Sequence, residues 1–276
     1  MAKLPILCEI QYNVYMSLII SFIESISKIS DMLLYFCSQL NQSIHYKNLG
    51  LIGYADAWAL QEKLLQENIQ TKLENRKGIE NNTFTEATTQ HHLLFCEHPP
   101  VYTLGKSGKI EHILISDEER KKRGIEFFKT NRGGDITFHG PEQLVVYPIL
   151  DLEKFYTDIG KYLRNLEEVV IQTLDHFNIK AERSKGETGV WIEADNKAKA
   201  RKICAIGVRC SRWITMHGLA LNVNTDLNYF NYIIPCGIAH KQVTSMQKEL
   251  GHAISLQEVA NIIKNKFQEI FEVQIK

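Results

Sequence analysis

From residue 46 to the C-terminus, apolar residues recur in turn at helical and at strand spacing, with no internal repeat and no long linker. Helical spacing predicts helices over 53–73 and 158–177, and the capping box Ser-Leu-Gln-Glu at Ser255 opens a third helix. Alternating or apolar runs predict strands at 92–96, 135–139, 144–150, 189–193, 202–210 and 217–224. Short strands mixed with few long helices predict one α+β domain over residues 46–276.

Charge and cysteine content exclude several classes of protein. The chain has 276 residues, with 32 basic and 32 acidic side chains, and this balance argues against a general nucleic-acid binder. Its six cysteines form no C-x-x-C pair, which argues against a zinc ribbon or a thioredoxin-type site. They are also too sparse for a disulfide scaffold, so we expect reduced thiols in a cytoplasmic protein.

The first 45 residues differ from the rest and contain two apolar runs, at 14–23 and 32–37. Both runs are shorter than the roughly 20 residues of a membrane span, and the flanking residues suit neither a signal peptide nor a transit peptide. We expect residues 1–45 to be an N-terminal extension of one or two amphipathic helices, with Met16 and Met32 as alternative start sites. Residues 72–90 are polar and are predicted to form a loop or insertion.

A thiol stands between a proline and a glycine in Pro235-Cys236-Gly237. Proline stiffens the backbone before the thiol, and glycine permits a tight turn after it. This arrangement can present a thiol to a substrate, although most free cysteines are buried and inert. We interpret Cys236 as a candidate nucleophile, with simple packing as the alternative.

A glycine-rich block, Arg-Gly-Gly-Asp-Ile-Thr-Phe-His-Gly-Pro, spans residues 132–141. Paired glycines let a backbone pass close to a ligand, and their N–H groups can hold a carbonyl or phosphate oxygen. The strand that follows would carry apolar side chains into a pocket wall. The alternative is an ordinary glycine turn before a hairpin, with His139 as a hydrogen-bonded structural histidine.

A lysine opens the apolar segment Lys-Ile-Cys-Ala-Ile-Gly at 202–207. Desolvation lowers the pKa of a lysine and suits it to proton transfer, although a lysine at a strand edge can instead extend into solvent. Strict alternation places Cys204 on the same face as Lys202, which makes Cys204 a rival nucleophile. A side chain in the middle of a strand is packed, however, and this favours Cys236.

Residues 196–225 contain no acidic side chain. The basic residues of this run are Lys197, Lys199, Arg201, Lys202, Arg209 and Arg212. In a chain without net charge, the run predicts a local basic surface suited to an acidic partner, or merely a solvated face.

Several segments, taken in order, resemble the lipoyl(octanoyl) transferase family from about Tyr46 to Ile238. They are LIGYADAWAL at 51–60, EHPPVYT at 97–103, the block 132–141, GVW at 189–191, KICAIG at 202–207, HGLALN at 217–222 and PCG at 235–237. The family usually has Gly-Pro-Gly-Gln after the histidine, whereas this chain has Glu142 in place of the second glycine. Residues 1–45 and 77–89 look like additions to the usual core.

The resemblance implies a fold like the catalytic domains of lipoate and biotin protein ligases, and an acyltransferase that needs no cofactor and no metal. Octanoyl-acyl carrier protein would donate the octanoyl group through a thioester on Cys236. A lysine of a lipoyl domain would accept it, in the 2-oxoacid dehydrogenases or the glycine cleavage H protein. Lys202 would protonate the leaving thiolate and later take a proton from the incoming amine. The basic run would suit the acidic carrier protein.

The resemblance also implies a substrate site formed by three motifs. Its residues are Arg132, Gly133, Gly134, Asp135, Ile136, Thr137, Phe138, His139, Ala205, Ile206, Gly207, Gly218, Leu219 and Ala220. His139 and His217 would orient neighbouring groups or the substrate.

Two other functions remain open. An ATP-dependent lipoate or biotin protein ligase would share the fold, but it would need a Gly/Arg-rich phosphate loop and no Cys236. A non-catalytic module that binds a carrier protein would not need Cys236 and Lys202 together.

Overall fold

The computed structural model describes residues 42–81, 87–196, 198–234 and 242–276. Ser43–Lys276 form one compact unit, which begins slightly before the expected boundary at residue 46. The apolar runs predicted before residue 42, the polar residues 82–86 and Cys236 lie outside the described residues. None of the helices in the described ranges combines the length and the apolar character that crossing a membrane requires.

A large mixed sheet forms the centre of the fold. Across the sheet its strands are β12 (Gln274–Ile275), β1 (Ser43–Leu51), β2 (His91–Glu97), β6 (Gln143–Ile149), β10 (Ile214–Asn222), β9 (Arg201–Ser211), β8 (Val190–Ile192) and β7 (Glu182–Arg183), with β11 (Gln242–Val243) added to β9. β1 pairs in parallel with both β2 and β12, and β11 pairs in parallel with β9, whereas the neighbours from β2 to β7 are antiparallel. A smaller sheet has the order β4 (Glu126–Lys129), β3 (Val101–Leu104) and β5 (Ile136–His139).

The α-helices of the described residues are α1 (Tyr54–Glu80), α2 (Asp117–Lys122), α3 (Ile159–His176), α4 (Met246–Leu250) and α5 (Leu256–Phe271). Short 3₁₀ segments lie at Ile110–His112, Leu152–Lys154 and Leu227–Tyr232. The predicted caps are present, because Asp158 accepts a hydrogen bond from the backbone N–H of Lys161 at 2.9 Å and Ser255 accepts one from Glu258 at 3.3 Å. Each side chain satisfies a backbone donor that the helix itself leaves unpaired. The predicted α+β class is confirmed.

The prediction of a loop beginning at residue 72 is wrong, because α1 continues to Glu80. Lysine, glutamate and arginine favour a helix even where it is solvated. The chain that returns to β2 also binds along the helix. Asn75 Nδ2 donates to the carbonyl of Ala87 at 2.8 Å, and Asn68 Nδ2 donates to the carbonyl of Gln90 at 2.7 Å.

Side chains of the central strands alternate between two cores. Phe95, Val146 and Leu219 lie in the larger core with α3 and α5, whereas their neighbours Val145 and Ala220 pack on the opposite face with α1. A third cluster of buried residues covers the smaller sheet. The face of the large sheet that carries α1 is the face that borders the candidate site.

A tight hairpin joins β9 to β10. Its two loop residues, Arg212 and Trp213, both have positive φ angles, 50° and 66°. Two-residue loops of this kind match the twist of the strands that they connect, although asparagine and glycine are the usual residues there. The turn fixes a register in which Ser211 lies opposite Ile214.

Candidate functional site

The β9–β10 register brings small residues together on the face that carries α1. Ala205 lies opposite Ala220, and Gly207 lies opposite Gly218. A cleft of about 500 Å³ covers this strip. A Cβ atom on Gly207 would come within 2.8 Å of the Gly133 carbonyl oxygen, so only glycine lets the sheet and the glycine-rich block approach this closely.

The structure brings the three predicted motifs together around the cleft. From the glycine-rich block the lining residues are Arg132, Gly134, Asp135, Ile136, Thr137 and His139. From β9 they are Lys202, Ala205, Ile206 and Gly207, and from β10 they are His217, Gly218, Leu219 and Ala220. Residues far apart in the chain therefore form one concave surface.

Two predicted substrate-site residues lie elsewhere. Phe138 is buried in the core of the smaller sheet, where its ring stacks on Tyr229 with 4.5 Å between centroids. Side chains alternate along β5, so Thr137 and His139 line the cleft while Phe138 packs against that core. Gly133 acts through its backbone, since its N–H donates to the carbonyl of Val208 at 2.9 Å.

Arg132 places a buried cation in the wall of the cleft. Its Nη2 atom donates to the carbonyl of Thr103 at 2.5 Å and to the Thr103 hydroxyl at 3.0 Å, and its Nη1 atom donates to the Gly133 carbonyl at 2.9 Å. Several hydrogen bonds to one guanidinium fix it as a rigid fork. The glycine-rich block is thereby tied to β3.

A chain of hydrogen bonds runs from Thr103 across the floor of the cleft. The side-chain amide of Gln143 donates to Asn222 Oδ1 at 2.8 Å and to the Phe138 carbonyl at 3.1 Å, so its oxygen accepts from His139 Nδ1 at 2.8 Å. His139 Nε2 then accepts from the Thr103 hydroxyl at 3.3 Å. Asn222 in turn donates to the carbonyl of Thr244 at 2.9 Å.

Burial keeps His139 in the neutral form that this chain requires. Burial first, and then the neighbouring His98 and Arg132, hold the pKa of His139 well below its ordinary value. An imidazolium would donate from both nitrogens and would conflict with the Thr103 hydroxyl proton. His139 is thus a buried hydrogen-bonding residue, as the structural alternative predicted, and it also lines the cleft.

Aromatic and imidazole rings form the deep end of the floor. His98 donates from Nδ1 to the Ile52 carbonyl at 2.7 Å, so its Nε2 accepts from the Tyr147 hydroxyl at 2.8 Å. Burial lowers the pKa of His98 to about 4, and burial raises the pKa of Tyr54, which stacks on His139, to about 12. This floor is therefore uncharged at neutral pH.

His217 occupies a conformation that histidine seldom adopts, with φ at +58°. Its backbone N–H donates to Gln61 Oε1 at 2.8 Å, and its Nε2 bonds to Asn131 Oδ1 at 2.7 Å. Burial first, and then Arg132 and Arg209, lower the pKa of His217 to about 3. His217 therefore binds α1 through its backbone and Asn131, next to the glycine-rich block, through its neutral ring.

Lys202 and Cys204 do not share a face, contrary to strict alternation. Val190 pairs with Cys204 and the next residue, Trp191, pairs with Lys202, so Ile203 is an extra residue in the ladder. Such a bulge changes the side to which the following side chains point. Lys202 consequently lines the cleft, whereas Cys204 is buried in the larger core.

Lys202 lines the cleft and is half-buried. Its Nζ atom donates to the Thr188 carbonyl at 3.3 Å and lies 4.6 Å from the centre of the Trp191 ring. A cation over an indole face is stabilised by the ring quadrupole. The backbone of Lys202 pairs with Val243, which also lines the cleft.

The cysteines within the described residues are poor nucleophiles. Burial raises the pKa values of the Cys96, Cys204 and Cys210 thiols, so each stays protonated at neutral pH. Cys236 lies outside the described residues, and its predicted role remains a prediction. The chain on either side of it meets the site, because Phe230 and Val243 both line the cleft.

Three of the six basic residues in the predicted basic surface over 196–225 pair with carboxylates of the chain, while Lys197 lies outside the described residues. Arg201 pairs with Glu193 and Glu249, and Lys199 lies 3.8 Å from Glu193. Arg209 pairs with a glutamate of α1. These carboxylates belong to segments outside residues 196–225. The composition of the run alone therefore could not reveal the ion pairs.

Sequence reasoning missed other residues that line the cleft. They include Tyr54, Gln143, Val145, Tyr147, Thr188, Asn222 and Phe230. A signal existed for Gln143, which ends the Gly-Pro-x-Gln motif. The preceding Glu142 has φ at +62°, a conformation that explains why glycine is usual at its position.

Comparison with known proteins relates this chain to one family. The family model described as "Lipoyl protein ligase A/B catalytic domain" matches residues 53–268. A protein of Christiangramia forsetii named octanoyltransferase is 53% identical over 86% of this chain and 99% of its own length. An octanoyltransferase of Cytophaga hutchinsonii is 52% identical over 86% of this chain and 96% of its own length.

Solved structures support the fold at lower identity. A bi-partite lipoate protein ligase from Thermoplasma acidophilum superposes with a TM-score of 0.58 at 17% identity, covering 86% of each chain. A lipoate-protein ligase A bound with ATP gives a TM-score of 0.57 at 16% identity and covers 86% of this chain and 87% of its own. At these identities the likeness concerns the fold alone. The match to the family model, together with relatives that are about half identical to this chain, shows that the chain belongs to the lipoyl protein ligase A/B catalytic domain family.

Proposed function

We propose that this protein transfers an octanoyl group from octanoyl-acyl carrier protein to a lysine of a lipoyl domain, through a thioester on Cys236. The observation that carries the proposal is the position of Lys202. Its ammonium lies in the wall of the cleft, and its backbone pairs with Val243, shortly after the Pro-Cys-Gly segment. The relatives named octanoyltransferase support the acyl group.

The described chain on both sides of Cys236 supports its approach to the cleft. The N–H of Ile234 donates to the carbonyl of His112 at 2.8 Å, and His112 pairs with Asp135, which lines the cleft, at 2.7 Å. Two residues of extended chain span at most about 7 Å. The chain length therefore limits the Cα–Cα distance between Ile234 and Cys236 to about this value.

In the first half-reaction, the Cys236 thiolate attacks the thioester carbonyl carbon of the donor. A new carbon–sulfur bond forms, and the bond to the pantetheine sulfur breaks. The pantetheine thiolate takes a proton from the Lys202 ammonium and leaves as a thiol. No ATP is required in this scheme, because a thioester is already activated.

In the second half-reaction, the neutral amine of the acceptor lysine attacks the acyl-enzyme. A carbon–nitrogen bond forms, the bond to Cys236 breaks, and the amine proton passes to the neutral Lys202. The starting thiolate and ammonium are thereby restored. The uncharged floor and the strip formed by Ala205, Gly207, Gly218 and Ala220 provide a surface without charge for the octanoyl chain. Reduced thiols of this kind suit the cytoplasm.

Intact-mass measurement tests the nucleophile. We expect the wild-type protein, incubated with octanoyl-acyl carrier protein and no ATP, to gain one octanoyl group. Cys236→Ala should gain none, whereas the matched variant Cys204→Ala should still be acylated because the Cys204 thiol is buried and protonated. An adduct mapped to Cys204, or transfer that requires ATP and free octanoate, would contradict the proposal.

Single-turnover transfer to a lipoyl domain tests Lys202. Lys202→Met should slow transfer by about 10²-fold or more, the usual range for the loss of a general acid or base. Lys202→Arg should not restore it, because a guanidinium does not release its proton at neutral pH. Near-normal turnover of the arginine variant would exclude proton transfer by Lys202.

A further inference from the structure

A carboxylate is buried on α3, outside the cleft. Glu167 has 0% of its side chain exposed. Its Oε2 atom forms an ion pair with Arg164 Nη1 at 2.8 Å and accepts a hydrogen bond from Arg183 Nε at 3.2 Å. Its Oε1 atom accepts from the backbone N–H of Gly189 at 2.9 Å. A buried carboxylate is costly unless all such contacts are made, so this arrangement holds the Gly189 backbone firmly.

Gly189 in turn lies against Lys202. Its φ is +115°, and a Cβ atom there would come within 2.6 Å of the Cys204 carbonyl oxygen and 3.5 Å of Lys202 Cε. Glycine is required for this conformation and this approach. The backbone therefore runs along the aliphatic stem of Lys202.

One peptide group links the carboxylate to the ammonium. The N–H that Glu167 binds belongs to the Thr188–Gly189 peptide, and the carbonyl of that same peptide accepts from Lys202 Nζ at 3.3 Å. A trans peptide is planar, with its N–H and C=O on opposite sides. Fixing the N–H toward Glu167 therefore directs the C=O toward Lys202. A charged acceptor at one end also polarises the carbonyl at the other.

We propose that Glu167 is a positioning residue for Lys202, acting through the Thr188–Gly189 peptide. Without this carboxylate, the buried N–H loses its partner, and the peptide can rotate to find another. Lys202 then loses one of the contacts that position its ammonium, the Thr188 carbonyl. The contact is a property of the fold, while its effect on acyl transfer rests on the proposed function.

Variants of Glu167 separate the hydrogen bond from the charge. Glu167→Gln keeps an oxygen that can accept from Gly189, and we expect its kcat to stay within about threefold of wild type. Glu167→Leu removes the acceptor and should lower kcat by about 10-fold to 10²-fold through misplacement of Lys202. The KM for octanoyl-acyl carrier protein should stay unchanged.

Arg183→Met is the matched control. It removes one ionic partner of Glu167 but leaves the bond to Gly189, so stability should fall while kcat stays near wild type. If Glu167→Leu does not fold, the triple variant Glu167→Met, Arg164→Leu, Arg183→Met replaces the whole ionic group by apolar side chains, a change that proteins often tolerate. This variant should show the same loss of kcat.

A readout without catalysis separates this proposal from the proposed function. The rate of acetylation of Lys202 at one fixed pH, measured by mass spectrometry, should rise about fivefold in Glu167→Leu because one hydrogen bond to the ammonium is lost. Arg183→Met should label at the wild-type rate. Folded Glu167→Leu with wild-type labelling and wild-type kcat would overturn the proposal, as would equal losses of kcat in Glu167→Leu and Arg183→Met. Activity of Lys202→Met would instead refute only the role of Lys202 in transfer.

Discussion

Replacing Gln143 by leucine removes the middle member of the hydrogen-bond chain beneath the cleft. Three buried groups then lose a partner: His139 Nδ1–H, the Phe138 carbonyl and Asn222 Oδ1. All four residues are buried, so water does not readily replace the amide. Each unsatisfied buried group costs about 1–3 kcal/mol. Leucine has a similar volume and leaves little cavity, so we expect a loss of about 3–5 kcal/mol in the free energy of unfolding.

Urea denaturation of the purified protein measures this loss, and the melting temperature should fall by about 10 °C. Asn222→Leu and the double variant complete a double-mutant cycle. Because Gln143 and Asn222 share one hydrogen bond, the double variant should cost less than the sum of the single variants by about 1 kcal/mol. A cost below about 1 kcal/mol for Gln143→Leu, or strict additivity in the cycle, would refute the connected chain.

Four further outcomes are expected. Lys72→Met should lower the free energy of unfolding, measured by urea denaturation, by about 3 kcal/mol. The carboxylate of Asp151 is 2% exposed and lies 2.9 Å from Lys72 Nζ, so the variant leaves it without its cation. Adding Asp151→Asn should recover most of this loss. Stability should decrease as pH falls from about 6.5 to 4. Burial lowers the pKa of His98 to about 4 in the folded protein, so the unfolded chain binds a proton at a higher pH than the folded chain does. An unchanged urea midpoint between pH 7 and pH 5 would contradict this. Arg212→Asn should raise the melting temperature slightly, because asparagine tolerates a φ of 50° better than arginine does; a lower melting temperature would show that the arginine side chain matters more than its backbone. A chain beginning at Ser43 should remain folded, as judged by circular dichroism, and should acylate a lipoyl domain at the full rate, because Ser43–Lys276 form one compact unit. Insolubility or loss of transfer would show that the preceding residues belong to the core.

The sequence alone located several of the helices and strands and the motifs that line the cleft, although it predicted no strands at β1, β3 and β4. Helical spacing and capping residues act over a few positions of the chain, so α3 and α5 could be located from local pattern, together with the caps Asp158 and Ser255. Glycine pairs and the order of the motifs indicated the wall of the cleft. Lys202 was selected because a lysine that opens an apolar strand is energetically unusual.

Only the tertiary structure decided which side chains actually meet. The extra residue Ile203 in β9 separates Lys202 from Cys204, and no spacing rule places such a bulge. The continuation of α1 depends on Asn68 and Asn75, whose partners Gln90 and Ala87 lie at the far end of the segment predicted as a loop. These outcomes depend on contacts between segments distant in sequence, which local pattern does not contain.

The same limit applies to charge. The basic run over 196–225 suggested an open surface because its compensating glutamates come from other segments of the chain. Glu167 lies within a predicted amphipathic helix, where the sequence does not distinguish it from a solvated carboxylate, because its partners Arg183 and Gly189 belong to a later segment. Burial and hydrogen-bond direction are properties of the folded chain, and in this protein they determine how Lys202 is held.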